Sequence, residues 1–429
     1  MRFEHPEHPG RAVRLAYCSN LHPAEDLDGF LEGLRTITLP LRERLAVGGS
    51  FGVGPWLPAA LAMELTADEG SPDLSRFVEF FAENELDPFT FNAFPFGGFH
   101  LPGLKEGVFR PTWAEPERLA FTISVAQIAR CLREACGGDG PCGHLSISTH
   151  CGGFGATVRE EHREKIYENF ALLALNLSRL EEETGDRIVC ALEPEPRSVA
   201  NDTGALRAIH EGILAVAPEV IGGGRSRRPG SPEDVVRRHI GTCLDACHAA
   251  VEFEPPQAAF LGATRAGLPL GKLQFSSALA LARPDENVLA RERFFALDEE
   301  VYLHQVTGRR GEEYARADDL DRLAEAFAAG DPDWRACDEW RCHFHVPVDL
   351  DLGEAQGLRT TQPEADATLR AALDAPDRWG CMELHLEIET YTWNVLDPTL
   401  RGSGSLLEGL EREYRHVLDL LDANGWKLT

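Results

Sequence analysis

Ile188-Val-Cys-Ala-Leu-Glu-Pro-Glu195 is the stretch on which the reading of this chain turns. Side chains alternate between the two faces of a strand, so Ile188 and Leu192 take one side. Val189, Ala191, Glu193 and Glu195 take the other, with both carboxylates at its C-terminal end. Such a strand suits a closed parallel sheet, its apolar face under helices and its acids at the mouth of the interior. The parity repeats downstream. Ile240-Gly-Thr-Cys-Leu-Asp245 puts Gly241, Cys243 and Asp245 inside, and His248 follows in the loop. Lys272-Leu-Gln-Phe275 puts Gln274 inside, and His343-Phe-His-Val346 sets both histidines opposite Phe344 and Val346. Glu383-Leu-His-Leu-Glu-Ile-Glu389 splits into an apolar row (Leu384, Leu386, Ile388) and an ionisable row (Glu383, His385, Glu387, Glu389). Asn92 and Ser148 also point inward near their strand ends.

Outward from these stretches, strands are expected at 14–18, 51–56, 88–92, 144–148, 188–193, 240–245, 272–275, 342–346 and 383–389. Amphipathic helical patterns lie between them, at 24–45, 72–84, 115–134, 160–183 and 202–216, with a last one at 405–423. Ser71 is a plausible cap for the second. Alternation of this length predicts an α/β TIM (β/α)8 barrel, a single domain over 1–429. Nine candidates exceed the eight staves of a barrel. An insertion is therefore expected near 281–340, with 301–306 as a small hairpin and one late strand outside the ring.

The composition is that of an ordinary globular chain: 429 residues, 43% hydrophobic and 26% charged. Its net charge of −28 repels phosphate backbones and argues against a nucleic-acid partner. No run is long enough for a transmembrane segment, and residues 1–10 carry no apolar signal region. Eleven cysteines without a CxxC pair fit a reducing compartment, hence a cytoplasmic protein. Cys190, Cys243 and Cys342 sit in apolar runs as small core residues. Cys131, Cys136 and Cys142 cluster without a zinc-knuckle spacing. The glycines and arginines of 222–233 read as a surface loop rather than a phosphate loop. The expected partner is a small-molecule metabolite, and homo-oligomerisation is compatible with the sequence.

Glu193, Asp245 and Glu389 all stand at strand ends with matching parity, where polar groups of this fold do chemistry. Like charges at short range need a counter-charge, and a divalent metal ion (Mn, Mg, Co or Zn) is the simplest one. Each residue also has a plainer reading: Glu195 as a rim residue tied to a loop, His22 or His385 as packing residues, Glu383 and His385 as partners in the barrel base. Phe94, Phe96, Phe99 and Trp393 would be an apolar wall or loop packing.

With these residues in view, the chain resembles the xylose-isomerase-like superfamily of sugar isomerases and epimerases. The matching positions are Glu193, the Asp245-Ala-Cys-His248 segment, Gln274 or a histidine of His343-Phe-His345, and Glu389. It is also similar to the EboE family of metabolite traffic proteins. The shared landmarks include Leu15-Ala-Tyr-Cys-Ser-Asn-Leu-His22, Phe91-Asn-Ala-Phe-Pro-Phe-Gly-Gly-Phe-His100, Tyr302-Leu-His-Gln305 and Glu387-Ile-Glu-Thr-Tyr-Thr-Trp393. The resemblance implies a metal-dependent isomerase or epimerase acting on a small biosynthetic precursor. Glu193 and Glu389 would exchange the proton; Glu193, Asp245, Gln274 and Glu389 would hold the metal. His248, His343, His345, Glu195 and Asn92 would meet the substrate. The alternatives are a non-catalytic carrier that keeps the barrel pocket and, last, a phosphodiesterase like the abasic-site endonucleases.

Overall fold

Strand pairing closes the chain into a ring, which a computed structural model describes for all residues except 47, 69, 138–142, 223–229, 353–356 and 402–403. Cys142 and residues 223–229 of the arginine-bearing loop lie outside the described residues. In chain order the strands are β1 (Arg2–Glu4), β2 (Ala12–Cys18), β3 (Phe51–Gly54), β4 (Leu86–Asp87), β5 (Thr90–Asn92), β6 (Leu145–His150), β7 (Ile188–Glu193), β8 (Ile240–Asp245) and β9 (Leu270–Phe275). They continue with β10 (Ser277–Ala282), β11 (Val306–Arg310), β12 (Glu313–Ala317), β13 (Glu339–Val346), β14 (Leu358–Thr360), β15 (Glu383–Ile388) and β16 (Lys427–Leu428).

β5, β6, β7, β8, β9, β15, β2 and β3 follow one another in parallel. The circuit closes where β3 pairs with β4 and Trp56 bridges Asn92, so β4 and β5 act as two halves of one stave. That is the eight-stave TIM barrel. β1 and β16 add a short antiparallel edge below β3, tying the two ends of the described chain together.

Alternation explains why these segments close. Leu384, Leu386 and Ile388 of β15 are buried against the helices, as are Ile188, Cys190 and Leu192 of β7. The opposite row of each strand fills the interior in layers. At the base, Glu383 pairs with Arg2 and Arg14, while His385 bonds Ser146 at 2.8 Å and stacks on His144. One layer up, Lys272 donates to Glu387 at 2.7 Å, both side chains fully buried. Gly54 makes room for this pair, since a Cβ there would lie 1.6 Å from Glu387 Oε1. Glu389 comes next, at the mouth.

The surplus sequence candidate, 342–346, lies outside the ring. It belongs to β13, the middle of a second, antiparallel sheet ordered β12-β11-β13-β10-β14. This sheet begins at Ser277, with only Ser276 between it and the end of β9, and runs to Thr360, so it extends past both limits of 281–340. Its hairpin joins β11 to β12 and not 301–306. Small alternating residues in Ser277-Ala-Leu-Ala-Leu-Ala282 carry little strand signal, which hid the sheet's first strand. It has its own core, built on Leu279, Leu281, Trp340, Phe344 and Val346.

Among the helices, Pro72–Glu83 and Leu406–Ala423 match their sequence patterns. Ser405 caps the latter in a capping box with Glu408. Ser71 holds the N-cap position of the former without a side-chain bond. The segment from 27 to 45 is interrupted by a π-helical stretch, Leu34–Thr38. No described helix is long and apolar enough to cross a membrane.

Candidate metal centre at the barrel mouth

β7, β8 and β15 deliver Glu193, Asp245 and Glu389 to one point: one carboxylate oxygen from each lies within 4.8 Å of the others. All three are buried, at 2%, 1% and 4% exposure. Glu389 is the most firmly held, accepting from Asn20 at 2.7 Å, Asn92 at 3.2 Å and Gln274 at 2.6 Å. Asp245 Oδ1 accepts from the Ser276 hydroxyl at 2.7 Å and the His248 backbone N–H at 2.9 Å. Asp245 Oδ2 and Glu193 Oε2 are buried with no hydrogen-bond partner among the described residues.

Burial first, and then the neighbouring carboxylates, push the Glu193 and Glu389 carboxyls well above the usual range. Glu195 is pushed up to about 8, again mainly by burial. Lys272 is the cation one layer below, but it is committed to Glu387, Ser148 and the Phe91 carbonyl. The cluster must therefore hold protons or a cation. Two orphaned acceptor oxygens inside a trio of carboxylates fit a divalent ion, with oxygen donors that suit Mn²⁺ or Mg²⁺ and tolerate Co²⁺ or Zn²⁺.

Gln274 lies beside Glu389 with both ends of its amide engaged. Its nitrogen donates to Glu389, and its oxygen accepts from the Cys243 thiol at 2.7 Å. Asn92 supports Glu389 in the same way as Gln274. Glu195, 5% exposed, accepts from the Gln305 amide at 3.2 Å, and its Oε2 is unpartnered.

The histidines come from two sheets. His248 stands in the short helix Ala246–Val251 that follows β8. His343 and His345 share one face of β13 because Phe344 and Val346 turn into the second sheet's core. His248 Nε2 lies 3.0 Å from His343 Nε2, which lies 3.1 Å from His345 Nε2. Burial lowers all three ring pKa values, His345 to about 4 and His343 well below the usual range.

Above these groups opens a pocket walled by Phe94, Phe99, Leu104, Val108, Tyr302 and Tyr391. Phe96 and Trp393 do not line it: Phe96 packs on Phe121, and Trp393 donates to Glu413 beneath.

Several of these groups escaped the sequence reading. Lys272 carried a usable signal, since it shares the parity of Gln274. Asn20, Gln305 and Tyr391 sit in landmark stretches but outside the strands, in two short 3-10 turns and a loop, where alternation says nothing. His22 bonds Tyr17 at 3.1 Å away from the centre, as a packing residue.

No family model matches the chain, and no curated protein matches it. Among solved structures, the chain is similar to the IolI protein with a bound zinc atom. The identity is 12%, over 96% of this chain and 99% of that one, with a TM-score of 0.45. It is also similar to the probable 3-DHS dehydratase AsbF, involved in petrobactin synthesis, from Bacillus anthracis. Here the identity is 11%, over 62% of this chain and 73% of that one, with a TM-score of 0.34. At these values neither likeness bears on the site, and the barrel assignment rests on the strand pairing. The EboE resemblance stands on its sequence landmarks alone.

Proposed function

We propose that this chain is a metal-dependent isomerase or epimerase of the xylose-isomerase-like type. Its substrate would be a small sugar or related hydroxy-carbonyl compound serving as a biosynthetic precursor, in the manner of the EboE proteins. The observation that carries the reading is the buried convergence of Glu193, Asp245 and Glu389 with two acceptor oxygens left unpartnered.

Glu193, Asp245 and Glu389 would hold a divalent ion, whose positive charge would offset the negative charge that develops on substrate oxygen as a proton leaves carbon. Glu193, whose Oε2 meets no protein donor, is the group assigned to take a proton from the substrate carbon. Glu389, fixed by three amide donors, is the second carboxylate of the exchange. Asn92 and Glu195 line the pocket as substrate contacts, beneath its aromatic wall.

The test is incubation with aldoses, ketoses and hydroxy acids in D₂O with Mn²⁺, followed by NMR. Deuterium should enter one carbon position, and Glu193→Gln should slow this by about 10²–10⁴-fold. A ligand that binds while no candidate exchanges would replace the isomerase with a carrier.

A further inference from the structure

The three ring nitrogens beside the carboxylates raise a separate problem. His248 Nδ1 lies 3.0 Å from the Pro194 carbonyl and His345 Nδ1 lies 2.9 Å from the Glu389 carbonyl. A carbonyl oxygen only accepts, so both Nδ1 atoms carry the hydrogen. His343 Nδ1 lies 2.6 Å from Gln305 Oε1. The orientation of that amide is fixed independently, because its nitrogen donates to Glu195 Oε1 and to the Pro196 carbonyl. His343 Nδ1 therefore donates as well.

A neutral imidazole has one N–H. All three Nε2 atoms then present lone pairs to one another at 3.0 and 3.1 Å in a buried place, where the one hydroxyl at hand among the described residues, that of Tyr391, lies 3.4 Å from His343 Nε2. Acceptors facing acceptors at that range repel unless a proton or a metal cation stands among them. Nδ1 hydrogen-bonded to a carbonyl, with Nε2 left open, is also how metal-ligating histidines are oriented. Carboxylates are within reach. Asp245 offers an oxygen within 4.8 Å of nitrogens of His248 and His345, and Glu195 does so for His248 and His343. Asp245 Oδ2 and Glu195 Oε2 are both buried and unpartnered.

We propose that His248, His343 and His345 form a second divalent-cation site, of the imidazole-rich kind that favours Zn²⁺, with Asp245 or Glu195 as the oxygen ligand. Nitrogen donors select zinc over magnesium or manganese, which sets this site apart from the carboxylate trio. The second sheet thereby acquires a role: β13 carries two of the three ligands to the barrel mouth, and Gln305, just before β11, positions one of them. The site does not depend on the isomerase reading, since any reaction or none is compatible with the ion.

The experiment is titration of the full chain, stripped with a chelator, with Co²⁺ and Zn²⁺ alone. Visible cobalt spectra and metal analysis are the readouts. The wild type should bind an ion with the intense visible bands of low-coordinate, nitrogen-ligated cobalt. His345→Gln should lose that ion and keep the one bound by the carboxylates. Glu193→Gln should show the converse, so failure of either site is read separately. Gln305→Leu, which touches no ion, should weaken the histidine site by about 10–100-fold. Should His345→Gln fail to fold, nitrogen NMR of the wild-type imidazoles with and without Zn²⁺ gives the same information. Equal stoichiometry and spectra in wild type and His345→Gln, or wild-type Nε2 resonances unmoved by Zn²⁺, would overturn the proposal.

Discussion

Lys272 shows what a single buried residue decides here. Burial pushes its ammonium toward the neutral form, but the Glu387 carboxylate beside it outweighs that and holds it charged. Both partners of the pair are wholly buried. Removing one side leaves an uncompensated charge, so Lys272→Met should destabilise the protein by about 3–5 kcal/mol. Lys272→Met combined with Glu387→Leu should recover much of that, because the stranded charge is then gone as well. Urea unfolding midpoints measure both. Equal loss in the single and double variants would mean that packing, and not charge, holds this layer. The pair also marks what alternation can and cannot tell. Parity put Glu387 inside and pointed equally at Lys272, yet the reading of 272–275 rested on Gln274 alone. Which inward residue meets which is set by the stagger between strands, and no single strand carries that information.

At the scale of elements, the informative case is β13. Its alternation was legible: His343 and His345 on one face, Phe344 and Val346 on the other. Its place was not, because an isolated strand pattern does not say which sheet it pairs with. The second sheet was legible only in part for a related reason, since its first strand is made of small residues and its hairpin lies after the stretch first suspected. Phe344 is fully buried in that sheet's core and stacked on His304. Phe344→Ala should cost about 3–5 kcal/mol locally. Hydrogen exchange should then rise across 277–360 while β6, β7 and β8 keep their protection, because the two cores are separate clusters. Uniform loss over the ring would show instead that sheet and barrel unfold as one unit.

For the whole molecule, the question is why a stable barrel keeps three carboxylates in contact at its mouth. Parity in three separate strands foretold that Glu193, Asp245 and Glu389 would share an end of the ring, and their oxygens do meet within 4.8 Å. His248 and Glu195 were foretold with them, whereas Asn20, Gln305 and Tyr391, which lie outside the strands, were not. Without a cation, the raised carboxyl pKa values mean that the folded state retains protons which the unfolded chain releases. Such groups favour folding least at high pH. Their contribution is fully present below the unfolded carboxyl pKa and declines as pH rises toward the folded value. Glu193→Gln removes one such carboxyl and keeps its shape, so the chelator-treated variant should melt at a higher temperature than chelator-treated wild type near pH 8. Adding Mn²⁺ reverses the order. Wild type gains RT ln(1 + [M]/Kd), about 2.7 kcal/mol at a hundredfold excess over Kd, and the variant gains little from this site. Paired thermal melts of both proteins with chelator and with Mn²⁺ read this crossing of stabilities. A wild type that is the more stable under both conditions would show that the trio is held together by the fold's own hydrogen bonds, with no call for an ion.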